Sequence, residues 1–221
     1  MVEYIINEKK VSIPENWVEC TFERFLKFAN LLRSIERETK EIKTDVDEWE
    51  QALQDIKDNT KILSYWCNMS ESDISMLDLD VANEIMTTLS FLNESYIPIN
   101  IDSFTIGEEK FILPEALMTK SSFGRYIEAE QLELHANMLD KGRLDILPKQ
   151  IAILCKKKGE EEKLDDDLID KRAKLFEKLD MATIWDVGFF LNRLEQKLMI
   201  SFLTSREKGE IQKQEWPQKE Q

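Results

Sequence analysis

Apolar and polar residues alternate in two short stretches, one at the start of the chain and one a hundred positions later. The apolar positions of the first stretch are Tyr4, Ile6, Val11 and Ile13. The second repeats that spacing with Phe104, Ile106, Phe111 and Leu113. Because strand side chains alternate between two faces, each stretch predicts a β-hairpin, with Asn7 or Gly107 in the turn. A lone hairpin is marginal in water, so each must pack on helices or both must join one four-stranded sheet.

Apolar residues recur at helical spacing through most of the rest of the first half. The spacing predicts a helix capped by Thr21, a short one opened by Ser70 and Asp73, and one capped by Asp80. A further helix is predicted between the one capped by Thr21 and the one opened by Ser70. Its apolar residues at helical spacing are Val46, Trp49, Leu53, Ile56, Leu63 and Cys67.

Apolar residues also recur at helical spacing in the second half of the chain. A helix capped by Ser121 or Ser122 would end at Gly142, and Pro148 would lie in the first turn of a helix ending near Cys155. The inward side chains of the first of these are predicted to be Phe123, Tyr126, Ile127 and Leu134. Asp180 begins the last and longest helix. Its wide apolar surface, either central core or a partner-binding face, comprises Ile184, Trp185, Phe189, Leu191, Leu194, Leu198, Phe202 and Leu203.

The two halves resemble each other in sequence. A shift of 100 positions lays residues 4–15 onto 104–115, and five of the twelve pairs are identical. Charged insertions at 37–48 and 156–167 account for the changes of register between later matches. Chance similarity is the alternative to an internal duplication. The predicted fold is therefore α+β and mostly helical, with two tandem hairpin-plus-helices repeats at 1–97 and 98–205 and a polar, flexible tail at 206–221.

The charge and composition of the chain limit the classes of molecule that it is expected to bind. The chain has 30 Lys and Arg against 44 Asp and Glu, a formal net charge of −14. That sign disfavours nucleic acid, whose binding depends on Lys and Arg displacing counterions. The first residues lack the pattern of a signal peptide, and no apolar run approaches the length of a membrane span, so we expect neither a secretory leader nor a membrane anchor.

Few residues are suited to catalysis. The chain has one His, three Cys and six Gly, and it lacks a phosphate-binding glycine loop, an HExxH motif or a GxSxG motif. Cys20, Cys67 and Cys155 are interpreted as buried thiols, with a Cys3His zinc site through His135 as the alternative. The acidic run 165–167 fits either a Mg²⁺ site or a solvated helix start. No catalytic, cofactor-binding or metal-binding residue is predicted. The rival to a non-enzyme is a carboxylate-based hydrolase or a metal-dependent nuclease.

The candidate partner-binding residues lie near the end of the chain. Trp216 and Pro217 are the bulky features of an otherwise polar tail, where the Trp is either incidental or an anchor for a groove on a partner or neighbouring subunit. Phe202 and Leu203 end the apolar face of the last predicted helix. Docking of Trp216 on a neighbouring subunit would make the protein a homo-oligomer.

The segment from Ile13 to Phe25, with its Pro-x-x-Trp turn and Thr-capped aromatic helix, resembles small tail-morphogenesis proteins of tailed bacteriophages, including those of gut Bacteroidetes. Residues 147–155, the acidic loop after them, 172–176 and 188–191 are similar to the C-terminal half of that group. The resemblance implies a tail-assembly chaperone in the host cytoplasm or a virion component, binding other phage structural or tail proteins. A generic helical interaction protein is the remaining alternative.

Overall fold

Both predicted hairpins are present in the computed structural model. It describes residues 1–42, 48–113, 120–138, 142–159 and 165–189. Strand β1 (Val2–Ile6) pairs antiparallel with β2 (Lys9–Ile13), and β3 (Ser103–Ile106) pairs in the same way with β4 (Glu109–Ile112). The prediction of an α+β fold is confirmed.

The hairpins share one register at an offset of 100 residues. Tyr4 lies opposite Val11, as Phe104 lies opposite Phe111. The turn residues Asn7 and Gly107 both have positive φ, at 50° and 60°, as their residue types predicted. This equivalence agrees with an internal duplication, although the repetition of the two halves as wholes stays a prediction.

The hairpins belong to separate sheets in the described part of the chain. β1 and β2 form a two-stranded sheet, whereas β4 also pairs with a short strand β5 (Lys156–Lys157) to make the order β3-β4-β5. Of the two arrangements left open by the sequence, each hairpin therefore packs on helices rather than on the other hairpin.

Helices make up most of the remaining described residues. Those of the first half are α1 (Phe22–Ile42), α2 (Glu48–Cys67), α3 (Glu71–Ser75), α4 (Leu79–Thr88) and a 3-10 helix at Leu89–Asn93. Those of the second half are α5 (Lys120–Met138), α6 (Arg143–Leu154), α7 (Asp166–Phe176) and α8 (181–189).

A backbone contact joins the beginnings of α1 and α8. The N–H of Phe22 donates to the carbonyl of Leu179 at 2.7 Å, and the N–H of Met181 donates to the carbonyl of Cys20 at 2.8 Å. Both donors belong to first helical turns, which have no partner within their own helix. The two halves consequently share one hydrophobic core. Its large fully buried side chains include Phe22, Trp66, Phe111, Phe176, Ile151 and Ile184.

The predicted helix caps are confirmed at three positions, and the one predicted for α4 is wrong. Thr21 caps α1, because its hydroxyl accepts the N–H of Arg24 at 3.4 Å. The Ser70 hydroxyl accepts the N–H of Asp73 at 3.1 Å, and Asp180 caps α8 through its carboxylate. The N-cap of α4 is Asp78 rather than Asp80, because the Asp78 carboxylate accepts the Asp80 N–H at 3.0 Å. Asp80 instead lies in the first turn, where the helix dipole favours an acidic side chain.

Helix α5 differs from its prediction in both start and orientation. It begins at Lys120, so Ser121 and Ser122 are inside the helix rather than at its cap. Two of its predicted inward residues are exposed, Ile127 and Leu134. The buried positions are occupied by Ala129 and Ala136. Because α5 packs closely on α6, small side chains suit that contact better than large ones.

The start of α6 was placed too late by the sequence. Gly142 precedes the helix, and its N–H donates to the Asp145 carboxylate at 2.8 Å, which also accepts from Arg33 at 3.0 Å. A Cβ on Gly142 would come within 2.6 Å of the Arg33 guanidinium, so the glycine permits this approach. Pro148 therefore lies inside α6, where it removes one helical N–H donor, and not in the first turn.

Within the described ranges, none of the helices combines the length and apolar character needed to cross a membrane.

The hairpin β1-β2 allows a matched test of core burial. Ile13 is 0% exposed and Ile5 is 82% exposed in the same hairpin. We expect Ile13→Ala to lower the free energy of unfolding by about 2–5 kcal/mol, since it leaves a cavity in the core. Ile5→Ala should change it by less than about 0.5 kcal/mol. Urea denaturation followed by circular dichroism measures both, and equal losses would contradict this packing.

Candidate functional site

The predicted partner-binding residues lie outside the described part of the chain. They are Phe202, Leu203, Trp216 and Pro217. The beginning of the helix predicted to carry the first two is described as α8, and there Met181, Ile184 and Val187 are fully buried. Phe189, the last described residue, is half-exposed. One face of α8 is thus core, and its last described residue lies at the surface.

α8 also carries a buried carboxylate. Asp186 accepts the hydroxyl hydrogen of Tyr96 at 3.1 Å and the backbone N–H of Ile99 at 2.8 Å. Burial, together with the hydrogen bond to Asp186, raises the pKa of Tyr96 to about 12. These bonds hold segment 95–100, which has no regular secondary structure, against α8.

Next to Asp186, an aromatic cluster joins the two halves of the chain. The ring centre of Trp17 lies 5.6 Å from Phe25, 5.1 Å from Phe91 and 5.9 Å from Trp185, all edge-to-face. This geometry is favourable for aromatic quadrupoles. The cluster fixes the position of Trp185, whose Nε1 is buried with no hydrogen-bond partner among the described residues.

A cavity of about 380 Å³ lies between α5, α6 and α8. Its wall is mostly apolar and includes Ala129, Leu144, Leu147, Leu154, Trp185 and Phe189. Pro98, from the segment held by Asp186, contributes to the same wall, and so does Gly188 of α8. The volume falls in the range of small-molecule sites, roughly 300–1,000 Å³.

Polar groups of α5 and α6 occupy one side of this cavity. Gln150 is buried, and its side-chain nitrogen donates to the Glu133 carboxylate at 3.1 Å and to the Ala129 carbonyl at 3.5 Å. Arg143 pairs with Glu133 at 3.7 Å. Glu130 adds a second carboxylate to the lining. The polar side is therefore internally bonded and carries a slight excess of negative charge.

A second exposed feature lies on α2. Trp49, Leu53 and Ile56 are 75%, 53% and 62% exposed and share one helical face, here named the α2 stripe. Leu63 and Trp66, later in the same helix, are buried. The predicted helix is therefore present, but only the later half of its apolar face is buried. The adjoining charged insertion is the sequence signal that this end of α2 lies away from the core.

The remaining candidates for catalysis or metal binding are the cysteines, the acidic run 165–167 and His135. All three cysteines are buried and none is joined to another by a disulfide. Burial raises the pKa of Cys20 to about 11 against the opposing charge of Arg24. Asp165 caps α7 by accepting the Leu168 N–H at 2.8 Å, and His135 is exposed on α5. In the part of the chain that is described, His, Cys, Asp and Glu form no group of three or more suited to a metal ion.

Sequence reasoning did not single out Gln150 or Gly188. A buried amide within the apolar run of α6 and a glycine inside an amphipathic helix were the available signals. Neither shows by itself that a cavity lies between them, because the cavity depends on how three helices pack.

Substitutions of Asp186 test its role in holding segment 95–100. Asp186→Ala should lower the free energy of unfolding by about 2–4 kcal/mol, because two donors lose their acceptor. Asp186→Asn keeps an oxygen that can accept both bonds and should cost about 1 kcal/mol. Urea denaturation measures the two values. Equal losses would show that the carboxylate does not act as the shared acceptor.

The raised pKa of Cys20 predicts a pH dependence of stability. The folded protein keeps this thiol protonated up to about pH 11, whereas the unfolded chain loses the proton near pH 9. The stabilisation is therefore complete below pH 9 and is lost as pH rises to 11, by about 2–3 kcal/mol. Cys20→Ala should show a correspondingly flatter decline in urea-denaturation series. Parallel declines would contradict the assignment.

Comparison with known proteins finds no matching family model, no matching curated protein and no matching solved structure. What this molecule does must therefore be inferred from its own residues and geometry.

Proposed function

We propose that the protein is non-enzymatic and binds other proteins through the α2 stripe, as a chaperone-like component of bacteriophage tail assembly. One observation carries the proposal. Three large apolar side chains stand exposed on one face of α2, although the later half of the same helix is buried in the core.

The stripe has the spacing of a helix-binding surface. Apolar residues exposed singly are ordinary, whereas an i, i+4, i+7 set such as Trp49, Leu53 and Ile56 is how one helix contacts another. Full burial of such side chains contributes about 1.5–3 kcal/mol each, before the entropy lost on association. Three of them support a reversible contact, which suits a chaperone that later releases its partner.

Charge around the stripe favours a basic partner helix. Glu50, Asp55 and Asp58 flank it, against Lys57 alone between positions 49 and 58. Gln51 and Gln54 donate to Asp55 and Asp58 at 2.8 and 2.9 Å, which keeps these carboxylates in place. An amphipathic helix with Lys or Arg beside its apolar face would complement this surface.

The tail-assembly setting follows from the sequence resemblance to phage tail-morphogenesis proteins. A formal net charge of −14 supports a chaperone role, since it would keep a complex with an apolar partner soluble. A permanent virion component could use the same stripe for fixed contacts with its neighbours.

Replacing the stripe should abolish partner binding without unfolding the protein. The tail component to be measured is the phage tape-measure protein. We expect Trp49→Ser combined with Leu53→Ser and Ile56→Ser to reduce its co-purification from infected cells at least ~10-fold. The unfolding midpoint in urea should stay near the wild-type value, because the three side chains are exposed. Quantitative mass spectrometry of the captured proteins measures the effect.

Ile97→Ser is the matched control, since Ile97 is 84% exposed and lies outside the stripe. It should capture as much tape-measure protein as the wild type. Undiminished capture by the triple variant would overturn the proposed binding surface. Abundant peptides of this protein in purified virions would replace the chaperone role with a structural one.

A further inference from the structure

We propose that the cavity between α5, α6 and α8 binds a small, uncharged, mostly apolar organic molecule. This site is separate from the α2 stripe and does not depend on the function proposed for that surface. Three features carry the inference: the size of the cavity, the glycine in its wall and the arrangement of its charges.

The cavity has the shape and composition of a ligand site. Its volume of about 380 Å³ would accept a molecule of two or three rings, and its wall combines Leu144, Leu147 and Leu154 with the rings of Trp185 and Phe189. Small-molecule sites are typically apolar pockets of this size with a few fixed polar groups. A flat or convex surface, such as the α2 stripe, instead suits a protein partner.

Gly188 leaves open a space that another residue would fill. Among the described residues, a Cβ added there would meet no atom within 4 Å. Glycine destabilises a helix interior relative to alanine, so its place in α8 gives no advantage to the helix itself. The residue lies in the cavity wall, where any larger side chain would take up the volume.

The charges at the cavity favour an uncharged occupant. Glu133 is bonded to both Arg143 and Gln150, so this cation and this carboxylate offset each other. The lining contains two carboxylates, Glu130 and Glu133, and one guanidinium, Arg143, a composition that disfavours anions. A cation would lose its hydration against a mostly apolar wall, which is costly.

Two fluorescent probes with the same aromatic frame test the proposal on the full chain. N-phenyl-1-naphthylamine is uncharged, and 8-anilinonaphthalene-1-sulfonate adds one negative charge to that frame. We expect the uncharged probe to bind saturably at one site, with the sulfonate weaker by at least ~10-fold because of the carboxylates. Fluorescence titration gives both dissociation constants.

Filling the cavity should remove this binding. Gly188→Leu should weaken the uncharged probe at least ~10-fold with a Tm no lower than that of the wild type, since leucine favours a helix more than glycine. Gly124→Leu is the matched control. Gly124 is also a helical glycine, an added Cβ there meets no atom of the described part of the chain within 4 Å, and it does not line the cavity. It should leave binding unchanged.

Leu144→Trp fills the cavity from α6 and should weaken binding of the uncharged probe to the same extent. This second variant keeps the test valid if Gly188→Leu misfolds. No saturable binding to the wild type would overturn the site. If the uncharged probe binds the wild type, Gly188→Leu and Leu144→Trp with equal affinity, the probe binds elsewhere. That result would also overturn the site. Tighter binding of the sulfonate than of the uncharged probe would overturn the ligand class.

Discussion

The backbone pairing of residues 20–22 with residues 179–181 determines how the two halves of the chain meet. It satisfies first-turn donors of α1 and α8 and places Trp17 against Trp185. With α8 fixed in this way, Asp186 faces segment 95–100 and Gly188 faces the cavity. Loss of this contact would therefore disturb the cavity wall and the core together.

Local features of the fold were predictable from the sequence. The hairpins follow from alternation and from Asn7 and Gly107, and the Ser70 and Asp180 caps follow from their residue types, since each depends on neighbours along the chain. The position of Pro148 was not predictable, because α6 begins early through a contact between Arg33 and Asp145 that is distant in sequence. Tertiary packing overrode the local preference of proline for a first helical turn.

The α2 stripe and the cavity could not be predicted from the sequence, for different reasons. The first half of α2 has the same apolar periodicity as the second, so spacing alone could not show that Trp49 is exposed and Trp66 buried. The cavity is defined by space left between helices, and periodicity reports only the side chains that are present. Gly188 can be recognised as part of a cavity wall only when the positions of α5 and α6 are known.

The pairing of Thr21 with Asp180 also imposes an order of events during synthesis. The pairing of β1 with β2 uses only the first thirteen residues, so it does not depend on the second half of the chain. Trp17 and Phe25, in contrast, must wait for Trp185 before their cluster is complete. At about 5–20 residues per second, the N-terminal half stays without this cover for several seconds or longer. An acidic chain is well suited to that interval, because mutual repulsion keeps nascent copies apart.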